Sequence, residues 1–125
     1  MTLIRNQAAT PLTTPNGNIV TSLATPSRGA RELSVIRQCQ RPGGFNPLHS
    51  QTREEVMVQL RGRVTVTCAG QETLLEPGDT LIIAAGVLHE IANAGDEDAE
   101  RLLAFRADVT FHAEDGAAVH PAWLE

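Results

Sequence analysis

The stretch Gly43-Gly44-Phe45-Asn46-Pro47-Leu48-His49-Ser50-Gln51-Thr52-Arg53-Glu54-Glu55-Val56-Met57-Val58-Gln59-Leu60-Arg61-Gly62 opens on a glycine pair and closes on a glycine. Successive side chains of a β-strand point to opposite faces, so a strand here puts His49 and Gln51 on one face. Glu55 begins the next apolar run, where an inward carboxylate needs a partner because burying an unpaired charge is costly. By the same parity Met57 and Gln59 face the way Glu55 faces. Met57 reads as core or pocket wall, and Gln59 as pocket wall, since an inward amide needs a partner or a ligand.

A second stretch has a similar shape. Pro77-Gly78-Asp79 turns into Thr80-Leu81-Ile82-Ile83, Gly86 breaks the chain again, and His89-Glu90-Ile91-Ala92-Asn93 follows. Working outward, further strands are predicted over 18–24, 32–40, 55–60, 64–69, 72–75, 80–83, 89–94 and 101–109. Arg41-Pro42-Gly43-Gly44 and the acidic segment 95–100 are turns or loops. Many short strands spaced about 8–12 residues apart indicate an all-β sandwich or barrel. Two similar hairpin blocks, 49–69 and 72–94, are what a jelly roll of two Greek keys would show.

The chain has 125 residues and a mass of 13.4 kDa, enough for a single domain with one core. The organisation expected is an extended N-terminal arm over 1–18, a barrel over 19–110 and a C-terminal tail over 111–125. The net charge is −5, so no basic surface is expected for nucleic acid or for an anionic membrane. Every cation is Arg, and neither Lys nor Tyr occurs. Schiff-base chemistry on a lysine and a tyrosine general acid are therefore excluded. Cys39 and Cys68 form no C-x-x-C pair and read as small buried hydrophobes. No apolar signal core opens the chain and no apolar run is long enough to span a bilayer, so a cytoplasmic protein is expected.

His49, His89 and Glu55 together make two imidazoles and one carboxylate. That donor set suits non-haem Fe(II), and also Mn, Ni, Co or Zn. Gln51 adds a neutral oxygen. Arg106 and Asp108 lie on the last strand; both read most simply as solvated, with Arg106 an anion clamp if it turns inward. His112 and His120 read as exposed and without a role in the site.

The two stretches resemble the paired motifs of the cupin superfamily. The first family motif is G-x5-H-x-H-x3/4-E-x6-G, and this chain has Gly43, His49, Gln51, Glu55 and Gly62 at its anchors. The second is G-x5-P-x-G-x2-H-x3-N, and this chain has Gly78, Ala84, Gly86, His89 and Asn93. Two anchors depart: Gln51 stands for the second histidine and Ala84 for the proline. The resemblance implies an all-β, RmlC-like double-stranded β-helix, a jelly-roll barrel in a single domain. It implies one divalent transition metal per chain (Fe, Mn, Ni, Co or Zn) at His49, Gln51, Glu55 and His89. Met57, Gln59 and Arg106 are the candidates for the substrate pocket. It further implies a homodimer whose N-terminal strands cross to the partner, and a small-molecule ligand or substrate. Three functions stay open: a metal-dependent dioxygenase acting on a small organic metabolite, a non-catalytic small-molecule-binding module, and, least favoured, a structural or interaction barrel in which His49, Glu55 and His89 form a hydrogen-bonded core cluster.

Overall fold

The computed structural model describes residues 1–124. Its strands are β1 (Leu12–Thr13), β2 (Asn18–Ala24), β3 (Leu33–Gln40), β4 (Phe45–Gln51), β5 (Glu55–Arg61), β6 (Val64–Cys68), β7 (Gln71–Leu75), β8 (Thr80–Ile83), β9 (His89–Ala92), β10 (Ala99–Arg106), β11 (Phe111–Ala113) and β12 (Ala118–Val119). They form two six-stranded sheets, ordered β1-β2-β3-β10-β5-β8 and β12-β11-β4-β9-β6-β7. Between β3 and β11 the chain changes sheet at every connection except β6 to β7. This is the winding of a jelly roll, and the expected fold class is the one observed.

Alternation decides what fills the barrel. Across the first sheet the inward residues stand in rows: Ser34, Phe105, Glu55 and Ile83, then Ile36, Leu103, Met57 and Leu81, then Gln38, Arg101 and Gln59. The middle row is apolar and contributes Ile36, Met57 and Leu103 to the core. The rows on either side carry polar groups into the interior, where each must find a partner.

Both ends of the chain are more ordered than an arm and a tail. Leu12 and Thr13 pair with Val20 and Ile19 of the same chain. Past residue 110, β11 pairs with β4, setting Phe111 opposite Gln51, and β12 pairs with β11. Burial explains why this short run is a strand. Phe111 packs edge-on against Phe105 and Trp123, with ring centroids 5.8 and 5.5 Å away. The Ser22 hydroxyl donates to the Trp123 carbonyl and fastens the C-terminal turn to β2.

The motif glycines are where the backbone must turn left-handed and pass close to a neighbour. Gly62 has φ +67°, and a Cβ there would stand 2.5 Å from the Asp98 carbonyl oxygen and 2.8 Å from Ala99 Cα. Gly86 has φ +80°, but nothing lies within 4 Å of a Cβ built on it. Both substitutions to Ala carry a conformational cost of about 1–2 kcal/mol. Gly62→Ala adds a clash with backbone that cannot rotate away. Urea unfolding is therefore expected to show a clearly larger loss for Gly62→Ala than for Gly86→Ala; equal losses would count against this packing.

Candidate metal centre

Loop and strand geometry bring the two motifs together. His49 of β4 stands directly across from His89 of β9, and the two rings lie 4.3 Å apart between centroids. The amide of Gly86 donates to the Gln51 carbonyl at 2.8 Å, which ties the turn before His89 to the end of β4. At the other end, Gly43 N donates to Asn93 O and Asn93 N to Gly44 O. The Asn93 side chain then holds the Gln40 and Glu97 carbonyls, each at 2.9 Å. Asn93 thus pins loops.

Both imidazoles are oriented by their own backbone. His49 Nδ1 donates to Pro47 O at 2.7 Å, and His89 Nδ1 to Val87 O at 2.9 Å. A ring whose Nδ1 carries the proton leaves Nε2 as a lone-pair donor, the arrangement that metal-ligating histidines use. His89 is fully buried, and its Nε2 lies 3.6 Å from Glu55 Oε2. Gln51, two residues on from His49 at the end of β4, is also buried. His89 Nε2, Glu55 Oε2 and both side-chain heteroatoms of Gln51 have no hydrogen-bond partner. Such orphaned groups are costly inside a protein. Together they form a donor set of imidazole nitrogen, carboxylate oxygen and amide oxygen, which suits a borderline divalent cation.

The set fits a metal in chemistry and needs adjustment in position. Among the described residues no three His, Cys, Asp or Glu side chains stand ready as a metal cage. Binding would draw these side chains closer than they now stand.

A cavity of about 860 Å³ opens onto this centre. His49 and Glu55 form part of its wall, with Gln38, Asn46, Phe111 and Trp123. The three side chains expected in a substrate pocket lie elsewhere. Met57 is fully buried in the core and does not reach the cavity wall, although Ile36 and Leu103 of its row do. Gln59 is fully buried and donates to the Arg61 and Gly62 carbonyls at 2.9 and 3.1 Å, so its amide serves the turn after β5. Arg106 faces solvent and pairs with Asp108 at 3.3 Å. The interior cation is Arg101 instead, one position of opposite parity away from the outward part of β10.

Arg101 is enclosed, and burial draws its guanidinium down to about 10, while the nearby Glu55 charge pulls the other way. It stays protonated at neutral pH. His112 lies on β11 partly buried and His120 is exposed; neither lines the cavity. Cys39 and Cys68 are free and half-buried. Burial pushes both thiols up, and Asp98 and Glu100 add to the effect at Cys39.

The sequence model for the cupin domain matches residues 36–105, more than half of the chain and all four candidate ligands. Oxalate oxidase GF-2.8 of Triticum aestivum is 28% identical over 106 residues, covering 75% of this chain and 47% of that protein. A germin-like protein of Oryza sativa is 31% identical over 90 residues, covering 67% of this chain and 40% of that one. The chain thus spans about half the length of the curated relatives it matches. Among solved structures, the polyketide cyclase RemF of Streptomyces resistomycificus superposes with a TM-score of 0.77 at 16% identity, over 87% of this chain and 81% of that one. KdgF of Halomonas sp. gives 0.74 at 15% identity, over 86% and 94%. These two likenesses concern the fold.

Burial, then the neighbouring His89 ring, hold the His49 imidazole below its ordinary 6.5. The unfolded chain then takes up that proton at a higher pH than the folded one. Stability from neutral His49 is complete above about 6.5 and falls as the pH drops below it. The urea midpoint of metal-free protein is expected to fall between about pH 7.5 and about pH 5.5, and to fall less in His49→Asn. An unchanged slope in that variant would remove His49 as the source.

Proposed function

The chain belongs to the cupin domain family, and we propose that it is a small metal-binding cupin acting oxidatively on a small organic metabolite. The observation carrying this reading is that four buried heteroatoms of Gln51, Glu55 and His89 lack partners, with His89 Nε2 3.6 Å from Glu55 Oε2 and His49 oriented by Pro47. His49, Gln51, Glu55 and His89 would hold one divalent transition metal. When bound, such a metal supplies Lewis acidity and open positions for substrate and dioxygen. The chain's own residues then have distinct tasks. The Pro47 and Val87 carbonyls keep protons on the Nδ1 atoms. Glu55 contributes the one negative charge among the four. Phe111 and Trp123 make an apolar flank that keeps water from the cavity wall. The oxalate oxidase relatives support an oxidative reading, and their partial coverage makes it a proposal for this chain.

A binding module without turnover is the second reading, favoured by Gln51. An amide oxygen is neutral at every pH and a weaker ligand than imidazole for later transition metals. Oxygen uptake separates the two: protein that carries metal yet consumes no oxygen with a panel of keto acids, hydroxy acids and catechols is a binding module.

A cytoplasmic homodimer is part of the proposal. The two unpaired thiols suit a reducing compartment. The edge strands β7 and β8 expose Leu74 and Ile82, and such edges invite cover. Among the described residues no helix is long and apolar enough to cross a membrane.

Elemental analysis of protein purified without a His tag or chelator is expected to find about one metal per chain, as the single four-donor site allows. His49→Ala, His89→Ala and Glu55→Gln should lose it; His112→Ala, His120→Ala and the exposed neighbour Glu54→Gln should keep it. Equal metal content across all six would dissolve the site.

Gln51→His should tighten binding of a late divalent metal by about 1–3 kcal/mol, the scale of a hydrogen bond to a charged group. Calorimetric titration checks this, and weaker binding would place the Gln51 side chain outside the coordination sphere.

A further inference from the structure

Arg101 is the largest side chain fully shut off from solvent, at 0% exposure. It stands mid-row on β10 between Gln38 and Gln59. Among the described residues no carboxylate pairs with it. Nη2 donates to Gln38 Oε1 at 2.7 Å, while Nε and Nη1 have no partner. Glu55 acts on this buried cation through space, but no carboxylate bonds to it, so the open Nε and Nη1 leave the guanidinium short of the anionic acceptors a buried cation needs.

That guanidinium dictates how the cavity wall is dressed. Arginine offers only donors, so Gln38 must turn its oxygen toward Arg101. Asn46 Nδ2 donates to the same oxygen at 3.2 Å, and Gln38 Nε2 donates to Asn46 Oδ1 at 2.8 Å. Both lone pairs of Gln38 Oε1 are then taken. Each amide nitrogen keeps one N–H outside the pair. Gln38 and Asn46 both line the cavity that His49 and Glu55 also line. The wall therefore offers N–H donors with a fixed positive charge behind them, a combination suited to a carboxylate.

We propose that Arg101, acting through Gln38 and Asn46, makes this wall a recognition site for a ligand carboxylate carried several bonds away from the end that meets His49 and Glu55. The separation comes from the register. Arg101 faces Gln59 and Phe105 faces Glu55, so the two rows are four residues apart, roughly 13 Å at about 3.3 Å per residue along the strand. Long side chains shorten that gap, and a cavity of about 860 Å³ has space for a ligand of several carbons. Arg101 is a positioning residue here, because Gln38 stands between it and the cavity. Only the far end of the ligand rests on the metal reading; the carboxylate wall needs no metal.

The test is calorimetric titration of the full chain with straight-chain carboxylates from propionate to octanoate and the matching primary amides. It is run on protein as purified and on protein stripped with chelator and dialysed, at moderate salt to screen Glu114 and Asp115 at the cavity mouth. Acids should bind at least tenfold more tightly than amides in both preparations, with affinity rising along the series. Arg101→Met should abolish the preference, and Arg101→Lys, which keeps the charge, should retain most of it. If Arg101→Met does not fold by circular dichroism, Gln38→Glu decides: its carboxylate answers Arg101 internally and should remove the preference. Equal binding of acid and amide by the parent, including no binding of either, overturns the proposal, as does an undiminished preference in the folded variant. A parent that lacks metal yet prefers acids would refute the metal reading and leave this one standing.

Discussion

A polar side chain turned into a β-barrel has no bulk water to solvate it, so it must be satisfied by the protein or by whatever the protein holds. This chain turns many such groups inward, and most are answered locally. Gln59 caps the turn after β5, Gln40 and Asn18 bond one another across β3 and β2, and Asn93 ties two loops. The unanswered ones gather chiefly in two places, around Gln51, Glu55 and His89 and around Arg101. The function proposed follows from that uneven distribution: most of the unanswered atoms stand where a cation and an anion would answer them.

The same constraint orients both imidazoles before anything binds. Each imidazole is clamped by a carbonyl two residues earlier in its own strand or turn. The two motifs are stitched together at one end by Gly86 and Gln51 and at the other by Gly43, Gly44 and Asn93. A jelly roll that changes sheet at nearly every connection converts these short links into long-range ones, since residues far apart in sequence become cross-strand neighbours. Pre-positioning of this kind lowers the ordering cost that a ligand would otherwise bear.

Much of this was legible in the residues. Period-two alternation and glycine-rich breaks located β2, β8 and most of β3, β5, β6 and β10, and the two motifs grouped His49 and His89, whose cross-strand register only the structure shows. Parity also turned Glu55 inward correctly. It could not tell which inward side chains would meet the cavity: of the two readings for Met57 the core one holds, and the Gln59 amide is taken up by a local turn. Arg106 ends a strand in solvent, as its simpler reading had it, and the inward anion clamp, the pocket alternative, fails. Arg101 was hidden because an arginine inside an apolar run usually reads as the outward face, and nothing in one sequence says that Gln38 waits opposite. The strand at Phe111 was too short to show periodicity; its order comes from stacking on Phe105 and Trp123.

That ring cluster has an optical side. Trp123 is the one tryptophan of a chain without tyrosine, and it lies on the cavity wall against Phe105 and Phe111. Indole emission from the whole molecule therefore originates at the rim of the binding space, with no other fluorophore to dilute it. Its colour and quenching follow the polarity and traffic of that cavity, which makes the native protein its own spectroscopic probe.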